Sequence, residues 1–194
     1  MFNDLTTPLS FLATRRSSRP RDLVAPGPSS TELRRILEIA TRTPDHGKLA
    51  PWRFISVGGE QRGALSEILQ AAYKIDKEQP GRLEIEAIGQ FSHQAPALIV
   101  VLHSPKESSK IPPWEQELST GAACFNLLAA AHACGYAGGW VTGWAAYSDA
   151  VRDAFGRAPE RIAGFVFLGT AGAELEERPR PEFAEVAGDW SPPA

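Results

Sequence analysis

The stretch TRTPDHGKLAPWRF, residues 41–54, decides how the chain is organised, because a helical pattern ends there and a strand pattern begins there. Ahead of it, apolar residues recur at helical spacing through Ala40, and Pro44 stops that helix. RFISVG, residues 53–58, predicts a strand. The loop between them has two interpretations. Asp45 and Gly47 are ordinary turn residues, yet charged side chains on a loop also favour ligand binding.

Two helix starts precede this loop. Thr7 and Pro8 predict the first helix, with Leu9, Leu12 and Ala13 as its inward stripe and Arg15 and Arg16 in its last turn. Ser29 and Glu32 have the spacing of a capping box, which predicts the second helix.

The remainder alternates between helical and strand patterns. We expect helices over residues 65–72, 79–91, 115–134 and 148–156, of which 79–91 is the weaker and could form a mobile flap. ALIVVLH from Ala97 and IAGFVFLGT from Ile162 predict buried strands. GYAGGWVTG, residues 135–143, predicts a strand end where the backbone closely approaches another group. We therefore predict a single domain over residues 1–194, with a C-terminal arm from about residue 172 that could wrap a partner.

Composition limits the classes of function. The chain has 194 residues with 20 basic and 23 acidic side chains, which argues against nucleic-acid binding. Asp4 lies in the N-terminal segment that carries positive charge in a signal peptide, so we expect a cytoplasmic protein. Residues 119–148 carry no Asp, Glu, Lys or Arg, but polar and glycine residues interrupt them, so we predict a buried helix and no membrane span. Cys124 and Cys134 lie on different faces of that helix and predict free thiols.

Several kinds of site have no supporting motif. The sequence has no Walker A motif, no Rossmann fingerprint, no HExxH metal-binding pair and no GxSxG nucleophile elbow. We therefore predict no metal site. Arg15, Arg16, Arg19 and Arg21 fall in a run without acidic residues, which fits either an anion site or a basic helix end.

Five motifs in order resemble the nitroreductase family of flavin-dependent dimers, over nearly the whole chain. They are RRS (15–17), RTPDHGKLAPWRF (42–54), WEQELSTGAA (114–123), GGWVTG (138–143) and GFVFLGT (164–170). The resemblance implies an α+β, three-layer fold with a central, mostly antiparallel sheet flanked by helices. It also implies a long buried helix at a homodimer interface.

The resemblance also implies cofactor-binding residues. Arg15, Arg16 and Ser17 would grip the phosphate of FMN, which suits the charge-assisted hydrogen bonds of arginine. Trp140, Val141 and Thr142 match a family segment at the flavin.

The opening loop would then reach the flavin of the partner subunit through Arg42 and His46. Lys48 stands where many relatives have Asn, and a cation there would stabilise the reduced ring. Ala50 replaces the usual Gln, which removes a polar ring contact.

The implied activity is an oxidoreductase that takes hydride from NAD(P)H onto FMN and reduces a nitroaromatic, quinone or similar small acceptor by a ping-pong mechanism. No residue is assigned as a dedicated catalytic acid or base, since solvent can supply protons. The alternatives are a narrower flavin enzyme of the same fold, such as a dehydrogenase, dehalogenase-like reductase or flavin-degrading oxygenase, or an FMN-binding protein without turnover. A third alternative is a hydrolase or a scaffold protein that does not bind flavin.

Overall fold

A computed structural model describes residues 2–193. The strands are β1 (Leu23–Val24), β2 (Trp52–Val57), β3 (Ala97–His103), β4 (Ala137–Val141) and β5 (Arg161–Ala171). The helices are α1 (Pro8–Thr14), α2 (Ser30–Ala40), α3 (Arg62–Asp76), α4 (Arg82–Gln90), α5 (Pro113–Ala133), α6 (Trp144–Tyr147), α7 (Asp149–Asp153) and α8 (Phe183–Val186). None of the helices in these residues is long and apolar enough to cross a membrane.

Every strand pair in the sheet is antiparallel. The longest strand, β5, pairs with β1, β3 and β4, while β2 pairs with β3. Alternate residues of β3 enter two different hydrophobic clusters, because successive side chains of a strand point to opposite faces. Leu98 and Val100 pack with α3 and α7, whereas Ile99 and Val101 pack with α2 and α5. The α+β prediction of three layers with an antiparallel sheet is therefore confirmed.

Local sequence signals place the helix starts correctly. The Thr7 side chain accepts a hydrogen bond from the Ser10 backbone and caps α1. At α2, Ser29 and Glu32 form the predicted capping box in both directions. The long helix α5 occupies the predicted segment to within two residues at each end, and both cysteines are free thiols.

The prediction that Leu9 and Leu12 form the inward stripe of α1 is wrong for the single chain. Leu9 and Leu12 are 77% and 62% exposed, and α1 has no buried residue. Phe11 turns inward instead, and its ring meets the His132 ring of α5 edge to face at 6.2 Å. The physical reason is that α1 rests against α5 through the Phe11 face, so nothing in residues 2–193 covers the leucine face.

Candidate functional site

The arginine segment, residues 15–19, lies directly against β4. The Ser18 backbone nitrogen donates to the Gly138 carbonyl at 2.9 Å. A Cβ at Gly139 would overlap the Ser18 carbonyl, and one at Gly138 would lie 2.8 Å from Leu128 and 2.9 Å from the Phe167 carbonyl. The close approach predicted for GYAGGWVTG is therefore found, and glycine permits it because it lacks a side chain.

Three side chains of the arginine segment line a polar cavity of about 350 Å³ under the arm, residues 172–193. They are Arg16, Ser17 and Arg19, and the arm closes the other side with residues 173–176. Arg15 Nη1 donates to Ser17 Oγ at 3.2 Å, so the first arginine also converges on the serine. Sequence reasoning left Arg19 out of the site, although it belongs to the same run without acidic residues.

The arm supplies both signs of charge to this cavity. Arg16 Nε donates to the Glu176 carbonyl oxygen at 2.8 Å. The Glu177 carboxylate oxygen Oε1 lies 3.8 Å from Arg16 Nε and 3.3 Å from Arg180 Nη2. Burial, then the neighbouring charges of Arg180 and Arg16, lower the pKa of Arg15. Arg16 and Arg19 thus share the cavity with the acidic residues Asp22, Glu174 and Glu176, and Glu177 lies next to Arg16 as well.

The His46 loop, residues 42–50, has a constrained backbone. Gly47 has φ of 77°, and the non-glycine residues Lys48 and Ala50 have φ of 57° and 48°. A left-handed conformation costs a non-glycine residue about 1–2 kcal/mol, and such residues cluster at functional sites. The Asp45 carboxylate accepts from the Ala50 backbone nitrogen at 2.7 Å, which holds the turn.

This loop is fastened to α5 and presents its cations outward. His46 Nδ1 and the Glu115 carboxylate lie 2.5 Å apart, and Ser119 Oγ donates to the Pro44 carbonyl at 2.8 Å. Arg42 and Lys48 are exposed, and neither forms an ion pair with the part of the chain that the structure describes. The two cations are therefore available to a ligand or a second subunit.

The end of β4 lies between two further cavities. Trp140 lines one of about 350 Å³, and Thr142 lines another of about 180 Å³, while Val141 pairs with Phe165 in the sheet. Trp140 Nε1 donates to the Ala163 carbonyl at 3.1 Å. A Cβ at Gly164 would overlap the indole ring, so a glycine there lets the ring of Trp140 pack against the backbone of β5.

The predicted site residues form two groups on different flanks of α5. Successive helical residues turn by about 100°, so contacts of α5 can be assigned to flanks. One flank contacts the His46 loop and α2 through Glu115, Ser119 and Asn126. The other flank faces β4 and the Trp140 cavity through Glu117, Gly121 and Leu128. Exposed Trp114, Leu118 and Phe125 form an apolar stripe between the flanks.

Thus one chain places the arginine segment against β4 at Gly138 and Gly139, while Arg42, His46 and Lys48 lie on the other flank of α5. Burial raises the pKa of the Cys124 thiol to about 12, so this thiol is protonated at neutral pH and is a poor nucleophile.

Comparisons with known proteins show the family to which the chain belongs. The profile described as "Nitroreductase family" matches residues 12–170. A Haemophilus influenzae protein named "Putative NAD(P)H nitroreductase" is 38% identical over 172 residues, 88% of this chain and 91% of the relative. The Escherichia coli K12 relative of the same name, YdjA, is 37% identical over 167 residues, 84% of this chain and 87% of its own.

Solved structures share the fold. A nitroreductase-like family protein from Bacillus cereus has a TM-score of 0.78 at 22% identity, covering 94% of this chain and 95% of its own. The FMN and NADPH-dependent nitroreductase NfnB from Sphigopyxis sp. strain HMH has a TM-score of 0.70 at 23% identity, with 93% and 96% covered. The chain described here belongs to the nitroreductase family.

Proposed function

We propose that this protein is an FMN-dependent oxidoreductase that accepts hydride from NAD(P)H and reduces a nitroaromatic, quinone or similar small acceptor by a ping-pong mechanism. When bound, FMN supplies the hydride and electron transfer chemistry, while the protein binds, orients and shields it. Family membership supports the reaction class, since two relatives carry NAD(P)H nitroreductase in their names.

The polar cavity beneath the arm fits the phosphate end. Arg15, Arg16 and Ser17 supply two guanidinium groups and a hydroxyl, and Arg19 lines the same cavity. Guanidinium groups make charge-assisted and often bidentate hydrogen bonds to phosphate oxygens. Asp22, Glu174 and Glu176 line the cavity too, so a bound phosphate would compete with these carboxylates and with Glu177 for the arginines.

The end of β4 fits the ring end. A strand rises about 3.3 Å per residue, so Gly138 and Val141 are separated by roughly 10 Å. The arginine segment therefore contacts β4 at Gly138, about 10 Å from the strand end at Val141, and a ligand with a phosphate at one end and a flat ring at the other could span this separation. Trp140, Val141 and Thr142 would hold the ring.

A homodimer would complete the site. Trp114, Leu118 and Phe125 of α5, with Leu9 and Leu12 of α1, leave an apolar surface exposed on one chain. A symmetric partner that covered this stripe would carry its own loop across α5 toward the first chain's β4. Arg42, His46 and Lys48 of that loop would then face the ring, and a cation at Lys48 would stabilise negative charge on reduced flavin.

The observation that carries this proposal is the hydrogen bond between Ser18 and Gly138, which holds the arginine segment against β4. The test is an anaerobic absorbance spectrum of purified protein supplied with FMN, before and after NADPH or NADH. We expect a bound flavin spectrum that bleaches. Reoxidation by an added nitroaromatic or quinone separates an enzyme from a protein that binds FMN without turnover. A protein that fails to bind FMN in titration would refute the proposal.

A further inference from the structure

The Trp140 cavity, of about 350 Å³, has flat aromatic walls and few free charges. Trp140 and Tyr147 line it together with Ile162 and Ala163. Its charged groups neutralise one another, since Arg161 pairs with Glu117 at 2.6 Å and Arg152 with Asp149 at 2.6 Å. A cavity of this size and composition suits a small aromatic molecule.

Three buried polar side chains also line this cavity, Thr120, Ser148 and His103, and the last, at the end of β3, is only 6% exposed. Its Nδ1 atom lies 2.9 Å from the Thr120 hydroxyl oxygen. That hydroxyl lies 3.0 Å from the Gln116 carbonyl and 3.1 Å from the Pro51 carbonyl, so its single proton is committed to one of these acceptors. With the hydroxyl donating to a carbonyl, we assign it as the acceptor of a hydrogen bond from Nδ1, which places the proton of neutral His103 on Nδ1.

The other ring nitrogen of His103 is left as a bare acceptor. Within residues 2–193, Nε2 has no hydrogen-bond partner, yet it is not sealed in the interior as both ring nitrogens of His132 are. Burial, then the charge of Arg161, lower the pKa of His103, against smaller opposing effects of Glu117 and of a hydrogen bond with the Pro51 backbone. The ring is therefore neutral at pH 7, and Nε2 offers a lone pair to the cavity.

We propose that the Trp140 cavity binds a flat aromatic molecule that carries a hydroxyl or N–H group, and that this group donates a hydrogen bond to His103 Nε2. The inference rests on the proposed function, because it makes this cavity the acceptor site beside the flavin ring that Trp140, Val141 and Thr142 would hold, and it names hydroxylated or amino-substituted aromatics as the preferred class. His103 acts here as a residue that determines specificity. A donor on the ligand satisfies a buried lone pair that a methyl ether or unsubstituted ring leaves unpaired.

The test uses FMN-saturated protein and a matched ligand pair, 4-hydroxyacetophenone and 4-methoxyacetophenone. We expect the hydroxyl compound to bind about threefold to tenfold more tightly, as one neutral hydrogen bond provides. His103→Phe should make the two dissociation constants equal. His93→Phe, the same change at an exposed histidine, should keep the difference.

A second measurement does not depend on a variant that folds. Nitrogen NMR of histidine-labelled wild-type protein should show the Nε2 resonance of His103 moving with the hydroxyl compound and staying in place with the ether. Equal affinities in wild type, an unmoved Nε2 resonance, or a preference that survives His103→Phe would each overturn the proposal. If bound FMN prevents both compounds from binding, the cavity belongs to the cofactor, and this result would also overturn the proposal. Both compounds are also titrated into protein without FMN. This second titration distinguishes exclusion by the cofactor from a failure of the proposed function.

Discussion

The Ser18 backbone nitrogen lies 2.9 Å from the Gly138 carbonyl oxygen, and this hydrogen bond joins segments that are far apart in the chain. Because Gly139 also has no side chain, the Ser18 carbonyl lies where a Cβ would stand. The position of the arginine segment relative to β4 is thus set by backbone contact.

We predict that Gly139→Ala displaces the arginine segment and weakens FMN binding by about tenfold or more, because overpacking against a backbone atom typically costs about 1–3 kcal/mol. Gly63→Ala is the matched control, since a Cβ there meets nothing within 4 Å. Fluorescence titration with FMN measures both variants. Unchanged affinity in Gly139→Ala would show that the segment's position does not matter for binding.

Arg16→Ala should weaken FMN more than riboflavin, because the lost hydrogen bonds go to phosphate. A hydrogen bond to a charged group is worth about 1.5–3 kcal/mol, which corresponds to roughly a tenfold to hundredfold loss for FMN alone. Arg34→Ala is the control, as Arg34 is exposed and, among the residues that the structure describes, forms its ion pair with Glu38. Equal weakening of both ligands would assign Arg16 to folding.

Glu177→Gln should tighten FMN binding by about twofold to fivefold, because the Glu177 carboxylate competes with phosphate for Arg16 and Arg180. The effect is small since the carboxylate is largely exposed, and exposed pairs are worth little. Glu182→Gln should change affinity less, because Glu182 is an exposed residue of the arm that does not line the cavity. Weaker binding in Glu177→Gln would mean that the carboxylate supports the site.

A mixed dimer tests whether two chains share each site. Arg16→Ala and His46→Ala chains, each impaired alone, are co-expressed with different tags and the mixed dimer is isolated. One of its two sites then has both residues intact, so FMN binding and activity should recover to about half of wild type if the sites are independent. A mixed dimer as impaired as its parents would place both residues in a site of one chain.

His132 should make stability depend on pH. Burial, then the charge of Arg15, lower its pKa to about 4 from 6.5. The unfolded chain therefore binds this proton more readily, so the stabilisation is complete above pH 6.5 and is lost as pH falls toward 4. At about 1.4 kcal/mol per pKa unit, the loss is about 3 kcal/mol. Urea unfolding at pH 7 and pH 4.5 measures it, and His132→Phe should remove this part of the slope. An identical slope in the variant would contradict the assignment.

The sequence by itself determined the elements whose signals are local. The capping box of Ser29 and Glu32 and the cap at Thr7 act within one helical turn, so they can be recognised without knowing the fold. The apolar run from Ala97 predicted a buried strand for the same reason. The motif order also identified the family, because the RRS, PDHGK and GGW segments occur together.

Only the tertiary structure decided which segments meet. The arginine segment contacts β4 and the arm across long stretches of chain, and no local pattern encodes that pairing. The tertiary structure placed Arg19 at the cavity. It also left Nε2 of His103 as a hydrogen-bond acceptor, because Thr120 of α5 contacts Nδ1. It also turned Phe11 inward and left Leu9 and Leu12 exposed, because a short helix can bury either face until its neighbour is fixed. Local patterns specify helices, strands and caps, whereas long-range packing determines which side chains converge on a site.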